Sequence, residues 1–140
     1  MRPLEEIEAY FELASRYSVS KVFSSMFSVE GTKEEVLEYF RKLIAAAHRN
    51  NLKVSLDVNP MCFEKMGATP DDLSVFKSIE VDCLRMDLSY GAENDAKLVR
   101  NPYGIKIEFN NSPDIVNGLI ACGIDPKDFS VCHNFYPQKV

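Results

Sequence analysis

Three short stretches of the chain carry a carboxylate within an alternating pattern of polar and aliphatic residues. The carboxylates are Asp57, Asp87 and Glu108, and each lies in or directly beside a segment predicted to be a β-strand. Adjacent strands are about 4.8 Å apart, so neighbouring carboxylates are expected about 5–9 Å from one another. That range covers the separations of about 5–5.5 Å in retaining and about 6.5–9.5 Å in inverting glycosidases. Like charges this close raise one of the pKa values, which leaves one group protonated to act as an acid.

The same alternation predicts which way these side chains point. Side chains along a strand face opposite sides in turn, so each strand has one aliphatic and one polar face. Parallel strands of a doubly wound sheet usually read as continuous aliphatic runs, because both faces are covered. A polar face therefore indicates the interior of a (β/α) barrel, where the chemistry lies at the carboxyl ends of the strands. The inward polar residues are predicted to be Ser55, Asp57 and Asn59, then Arg85 and Asp87, then Lys106, Glu108 and Asn110.

Helical patterns alternate with these strands along the chain. We predict strands at 22–27, 53–58, 81–88, 105–110 and 129–133. We predict helices at 3–17, 32–50, 62–66, 69–79 and 112–120, with weak helical character at best in the connection 91–104. Thr32 and Glu35 read as a capping box, and residues 69–72 read as an N-cap followed by proline at the first helical position. The spacing of about 25–30 residues per unit fits right-handed βα crossovers.

The predicted fold class is α/β, as a partial (β/α)8 TIM barrel of about five parallel strands that alternate with helices. A complete barrel needs about 250 residues, whereas the chain has 140. We therefore interpret residues 1–140 as a fragment of one barrel domain, truncated at both ends. The alternative is a self-contained, flavodoxin-like sheet of five strands. Its polar residues would gather at one switch point, whereas nearly every strand predicted here ends in polar residues.

The overall composition argues against several classes of protein. The formal net charge is −5 with acids and bases interspersed, which does not favour a nucleic-acid partner. No apolar run approaches the roughly 20 residues needed to span a bilayer, and the first residues contain no apolar signal core. The four cysteines show no C-x-x-C pairing, so reduced thiols, a cytoplasmic location and no structural metal are expected. Neither a Gly-rich phosphate loop nor a zinc-protease motif occurs, so no cofactor and no metal are predicted.

Structural roles are open for several of the polar residues. Arg85 and Asp87 lie two positions apart on one predicted strand face and could form a purely structural ion pair. Lys106 and Glu108 have the same spacing and could pair in a lower layer of the barrel. His133 could be a hydrogen-bonded core histidine instead of a residue of the site.

An uncommon string, H-N-F-Y-P, occupies residues 133–137 near the end of the chain. Together with D-V-N-P at 57–60, L-R-M-D at 84–87 and N-N-S at 110–112, it resembles a bacterial family long labelled "outer surface protein". That family is now associated with 6-phospho-N-acetylmuramidase activity. The order and spacing match along essentially the whole chain. The resemblance implies a TIM barrel followed by a smaller β-rich C-terminal domain, and we expect that second domain to lie outside residues 1–140.

The resemblance also implies a reaction and a set of residues. The reaction is hydrolysis of the bond between 6-phospho-N-acetylmuramic acid and N-acetylglucosamine during cytosolic peptidoglycan recycling. The small-molecule partner is then a phosphorylated muramyl disaccharide. Asp57 and Asp87 become the leading catalytic pair, one as general acid and the other as nucleophile or base, and Glu108 is not carried over. The residues expected to hold substrate hydroxyls, the lactyl carboxylate or the phosphate are Arg85, Asn110, Ser112, His133, Asn134 and Tyr136.

Two other interpretations stay open at this point. The chain could be a non-catalytic remnant that binds a phosphosugar or packs with a partner. It could also belong to another sugar-phosphate barrel enzyme, an isomerase or aldolase, with Lys106 as the inward Schiff-base candidate. Barrel phosphate sites frequently use the loops after strands seven and eight, which are not among the predicted strands. Whether the 140 residues alone are active is therefore also open.

Overall fold

Five parallel strands form one sheet in a computed structural model of the chain, which describes residues 3–110 and 112–132. The strands are β1 (Lys21–Ser25), β2 (Lys53–Val58), β3 (Cys83–Met86), β4 (Lys106–Asn110) and β5 (Ser130–Cys132). They lie in the sheet in the order of the sequence, β1-β2-β3-β4-β5. A flavodoxin-like sheet reverses its winding at a switch point, and this order has no reversal, so that alternative is wrong. The α/β fold with part of a TIM-barrel-like sheet is confirmed.

Helices connect the strands in the described residues, as the alternating pattern predicted. They are α1 (Leu4–Ser15), α2 (Lys33–Arg49), α3 (Pro60–Met66), α4 (Ser74–Ser78), α5 (Ala92–Val99) and α6 (Pro113–Ala121), with short 3-10 turns at Met26–Ser28 and Pro126–Asp128. None of the helices in this described part is long and apolar enough to cross a lipid bilayer.

The hydrophobic core lies on the aliphatic face of the sheet. Right-handed crossovers place the connecting helices on that face, and their apolar side chains pack onto it. The sheet contributes Val54, Leu56, Val58, Leu84, Met86, Ile107 and Phe109, and the helices contribute Phe40, Ile44, Phe63, Phe76 and Leu98, all of them at most 1% exposed. This packing fixes the orientation of each strand, so that the alternate residues must face the interior of the barrel.

Two helix starts show how the sequence sets the connections. The Thr32 hydroxyl accepts a hydrogen bond from Glu35 N at 3.2 Å, and Thr32 N donates to Glu35 Oε1 at 3.3 Å, which confirms the capping box. Asn59 Oδ1 accepts from Cys62 N at 2.9 Å and caps α3, whose first residue is Pro60. Asn59, predicted to point inward, therefore has a structural role at the end of β2.

Two predictions for the helices are wrong. The connection 91–104 contains a regular helix, α5, because Ala96 and Leu98 are buried and the buried Asp95 accepts hydrogen bonds from the turn before it. The segment 69–72 is a closed turn and not a helix start, since Thr69 and Asp72 exchange backbone hydrogen bonds at 3.1 and 3.0 Å. The helix begins at Ser74, whose N–H donates to Asp72 Oδ1 at 2.9 Å.

Candidate active site

The inward face of the sheet places one polar residue from each strand in a single row. The pairing register aligns Ser25 with Asp57, Asp57 with Arg85, Arg85 with Glu108, and Glu108 with Ser130. In-register neighbours on parallel strands are about 4.8 Å apart at their Cα atoms. The row begins at the carboxyl ends of β1 and β2, crosses the middle of β4 at Glu108 and reaches β5 at its first residue, Ser130. Barrel enzymes carry out their chemistry at the carboxyl edge, so the part of the row around Asp57 lies closest to that position.

Asp57 and Arg85 form an ion pair within this row. Arg85 Nε lies 3.6 Å from Asp57 Oδ1, with side-chain exposures of 19% and 30%. This distance is too long for a hydrogen bond, and Asp57 Oδ1 is buried without a hydrogen-bond partner among the described residues. The structural pair of Arg85 with Asp87 is not formed: residues two apart on one strand are about 6.6 Å apart, farther than neighbours across the sheet.

Burial raises the pKa of the Asp57 carboxyl, and the charges around it act in both directions. Arg85 lowers this pKa, whereas the carboxylates of Asp87 and Glu108 raise it further. The desolvation penalty and the two like charges outweigh the one cation, so the net shift is upward. A half-buried carboxyl that holds its proton at higher pH is what a general acid requires.

Asp87 directly follows β3 and is exposed to solvent. Its backbone is fixed from both sides: Asp87 N donates to Val58 O at 2.9 Å, and Asn110 Nδ2 donates to Asp87 O at 2.7 Å. These bonds tie the end of β3 to the ends of β2 and β4. Asp87 thus lies at the same edge as Asp57, one step closer to solvent.

A buried aspartate holds the turn that follows Asp87. Asp95 in α5 is 1% exposed, and its carboxylate accepts from the Ser89 hydroxyl at 2.5 Å and from Tyr90 N at 3.0 Å. Sequence reasoning missed Asp95, because in the sequence it looks like an ordinary acidic residue in the first turns of a helix. Its buried bonds make it a support for the loop that carries Asp87.

The predicted pair of Lys106 and Glu108 is also not formed, since no ion pair within 4.0 Å joins these two described residues. Glu108 Oε2 is instead buried without a hydrogen-bond partner in the described part of the chain. Lys106 is exposed at the amino end of β4, where it lines a cavity with Lys21 and Lys53. It therefore lies at the edge of the sheet opposite to Asn110 and Asp87.

Phe23 is a further residue of the inward face that sequence reasoning missed. It is 56% exposed, and its ring centroid lies 5.8 Å from Arg85 Cζ and 5.2 Å from Lys21 Nζ, within the range of cation–π contacts. The two-residue alternation could have found it, since Phe23 precedes Ser25 by two positions.

The structure gives partial information on the other predicted site residues. Ser112 lies at the N-cap position of α6, just beyond the end of β4, and its side chain makes no capping bond. His133, Asn134 and Tyr136 lie outside the described residues, so their predicted roles are not tested. Cys62, Cys83 and Cys122 are free thiols, and burial raises the pKa of the first two.

Two solved crystal structures share the fold of this chain. The chain is similar to the crystal structure of an uncharacterized B. cereus protein, with a TM-score of 0.75 and 33% identity over 97% of this chain. A conserved Enterococcus faecalis protein of unknown function has the same fold, with a TM-score of 0.75 and 21% identity over 96% of this chain. The chain spans 36% of the length of each of these two structures.

No curated protein matches the sequence. A protein family does match it: the sequence pattern described as "6-phospho-N-acetylmuramidase, N-terminal" covers residues 1–140. Because the match extends over the whole sequence, the chain belongs to the 6-phospho-N-acetylmuramidase family and corresponds to its N-terminal part.

Proposed function

We propose that this chain carries the catalytic end of a glycoside hydrolase that separates 6-phospho-N-acetylmuramic acid from N-acetylglucosamine during peptidoglycan recycling. One observation carries the proposal: Asp57 and Asp87 come from neighbouring strands at the carboxyl edge, and burial raises the pKa of Asp57. Glycoside hydrolysis needs two carboxyl groups in different protonation states. The family description supports the phosphorylated muramyl substrate.

The environments of the two carboxyl groups suggest which one is the general acid and which one is the nucleophile or base. Asp57, half-buried and with its pKa raised, would donate its proton to the glycosidic oxygen as the C1–O bond breaks. Asp87, exposed at the rim, would attack C1 or take the proton from a water molecule that does so. The electron pair of the broken bond stays on the leaving oxygen, which the proton from Asp57 neutralises.

The remaining residues of this edge would bind the substrate. The guanidinium group of Arg85 presents a planar set of donors that suits a carboxylate or a phosphate, and Phe23 offers an exposed ring beside it. Asn110 and Ser112 lie at and just beyond the end of β4, where sugar hydroxyls would come within reach. We propose the same kind of role for His133, Asn134 and Tyr136, on the basis of the H-N-F-Y-P string.

We also propose where the reaction takes place and how the protein is organised. The free thiols of Cys62, Cys83 and Cys122 suit a reducing compartment such as the cytoplasm. Residues 1–140 would form part of a single (β/α) barrel domain, and the β-rich domain would lie in the remainder of a longer protein. The lengths of the two related structures, of which the chain spans 36%, agree with this arrangement.

The decisive experiment is a hydrolysis assay with the full-length protein. The substrate is the 6-phosphorylated muramyl–glucosaminyl disaccharide, and the matched control is the same disaccharide without phosphate. Release of N-acetylglucosamine from the first but not from the second is expected. Binding without cleavage would contradict the proposal in favour of a phosphosugar-binding protein. Borohydride trapping of a sugar phosphate on Lys106 would contradict it in favour of an aldolase or isomerase.

A further inference from the structure

Glu108 is the third carboxylate of the inward row, and the proposed reaction does not yet use it. It lies in β4, in register with Arg85, so Arg85 stands between Asp57 on one side and Glu108 on the other. The ion pair of Arg85 is with Asp57, and the register places Glu108 on the strand at the other side of Arg85. Such a row of alternating charges is set by the strand register and not by the flexibility of the side chains.

The position of Glu108 lowers the stability of the folded protein, because one of its carboxylate oxygens is buried without a hydrogen-bond partner among the described residues. Its Oε2 atom is buried and accepts no hydrogen bond from the described residues. Lys106, two positions earlier on the same face, is exposed and does not pair with it. A buried acceptor without a partner costs free energy on folding, and such groups in native proteins call for an explanation in function or in strain.

Three charged side chains shift the pKa of Asp57, and Glu108 is one of them. They come from Arg85 and Asp87 at β3 and from Glu108 on β4. The charged side chains of other elements around β2, which are Lys21 on β1 and Glu64 and Lys65 on α3, do not contribute to the shift in the pKa of Asp57. The helix α2 packs on the opposite, aliphatic face of the sheet.

We propose that Glu108 is a positioning residue whose negative charge, placed across Arg85 from Asp57, adds to the effect of burial and helps to keep the catalytic proton on Asp57 until the glycosidic oxygen takes it. Without Glu108, Arg85 would attract only the Asp57 carboxylate from this row and would favour its ionised form. With Glu108 present, a further negative charge on β4 opposes ionisation of Asp57 and offsets part of the effect of Arg85. The inference rests on the proposed function, in which Asp57 is the acid.

The first test measures protonation directly and does not depend on activity. In full-length protein labelled with ¹³C at the aspartate carboxyl carbons, the titration midpoint of Asp57 is measured by NMR. Glu108→Gln removes the charge at nearly constant size, and the midpoint is expected to move to lower pH. Glu108→Asp keeps the charge, and Lys106→Gln changes the same strand face at the opposite edge, so both midpoints are expected close to wild type.

An unchanged midpoint in Glu108→Gln overturns the proposal. Glu108→Ala gives the same test if the Gln variant does not fold.

The second test links this effect to the reaction. The alkaline limb of the kcat–pH profile reports loss of the proton from the general acid. In Glu108→Gln this limb is expected at lower pH. At the pH where wild type keeps half of its maximal kcat, the variant should retain less than about a quarter of its own maximum. If the wild-type enzyme is active and the limb does not move, the role of Glu108 is wrong and the reaction stands. If the Asp57 midpoint moves but no hydrolysis occurs, the charge coupling stands and the proposed reaction is wrong.

Discussion

Arg85 pairs with Asp57 on the neighbouring strand and not with Asp87, which lies two positions along from Arg85. The 3.6 Å contact crosses from β3 to β2, where the register aligns the two residues. This arrangement places the cation beside the half-buried carboxyl of Asp57 and leaves Asp87 without an ion pair among the described residues. The two catalytic candidates therefore differ in both burial and neighbouring charge, which is the asymmetry that an acid and a nucleophile require.

Replacing Asp87 tests the proposed nucleophile or base. In Asp87→Asn we expect kcat to fall by about 10³-fold, since the amide can neither attack C1 nor accept a proton. The exposed position of Asp87 means that the variant should fold normally. The measurement is kcat on the phosphorylated disaccharide, together with the urea midpoint. Asp71→Asn, at an exposed surface ion pair with Lys97, is the matched control, and turnover of Asp87→Asn near that of this control would sink the assignment.

Ionisation of Asp57 should lower the free energy of unfolding, so the contribution of this residue to stability should depend on pH. Its pKa in the folded protein is raised above the ordinary value of 3.8, mainly by burial. The ionised group therefore destabilises the fold, and this loss develops as the pH rises from about 3.8 through the raised folded-state pKa. We expect Asp57→Asn to unfold at a higher urea concentration than wild type at pH 7, with little activity.

The difference between the two proteins should shrink as the pH falls towards and below 3.8, because wild-type Asp57 then becomes protonated in both the folded and the unfolded state. Comparing the variant with wild type at each pH removes the contribution of the other carboxyl groups. A variant that is less stable than wild type at pH 7 would show that the contact with Arg85 outweighs the cost of burial.

Asp95 should be important for both stability and activity although it lies outside the catalytic row. In Asp95→Ala the Ser89 hydroxyl and Tyr90 N–H lose their acceptor, with an expected cost of about 2–3 kcal/mol. The amide of Tyr90 should then exchange with solvent faster, and kcat should fall because the loop after Asp87 loosens. Glu93→Ala, at an exposed position of the same helix, is the control and should change neither quantity. Equal effects of the two variants would argue against a supporting role for Asp95.

The aliphatic face of β3 offers a direct measure of core packing. Leu84 is fully buried, so Leu84→Ala should lower the free energy of unfolding by about 2–5 kcal/mol. Leu88, four residues later, is 58% exposed, and Leu88→Ala should change that free energy by less than about 0.5 kcal/mol. Urea denaturation of both variants makes the comparison. Similar losses would mean that Leu88 is covered in solution.

The two-residue alternation predicted most of the fold because buried aliphatic faces leave little freedom of register. It placed β2 and β4 closely and identified Asp57, Arg85 and Glu108 as inward residues. Local sequence patterns were less successful for elements whose structure depends on tertiary contacts. The helix α5 depends on the buried Asp95 and on apolar packing, neither of which is visible in local sequence propensity.

The pairing of charges could not be read from the sequence for a similar reason. Spacing along one strand suggested pairs of Arg85 with Asp87 and of Lys106 with Glu108. The relevant neighbours lie across the sheet, and which residues meet there is decided by register between strands that are distant in sequence. The assignment of Asp57 and Asp87 as the catalytic pair stays a prediction that the proposed experiments test.

The row of inward residues from Ser25 to Ser130 also makes the fold sensitive to errors in strand register. A slip of one residue in β2 would replace Asp57 in the row with Leu56 or Val58 and would force a carboxylate into the aliphatic core. The same holds for Arg85 and Glu108 in their strands. Misaligned pairings would therefore bury charged side chains in the aliphatic core, so the residues of the candidate site also favour the correct strand register during folding. Insertions and deletions should accordingly be tolerated in the loops between elements and be excluded from the strands themselves.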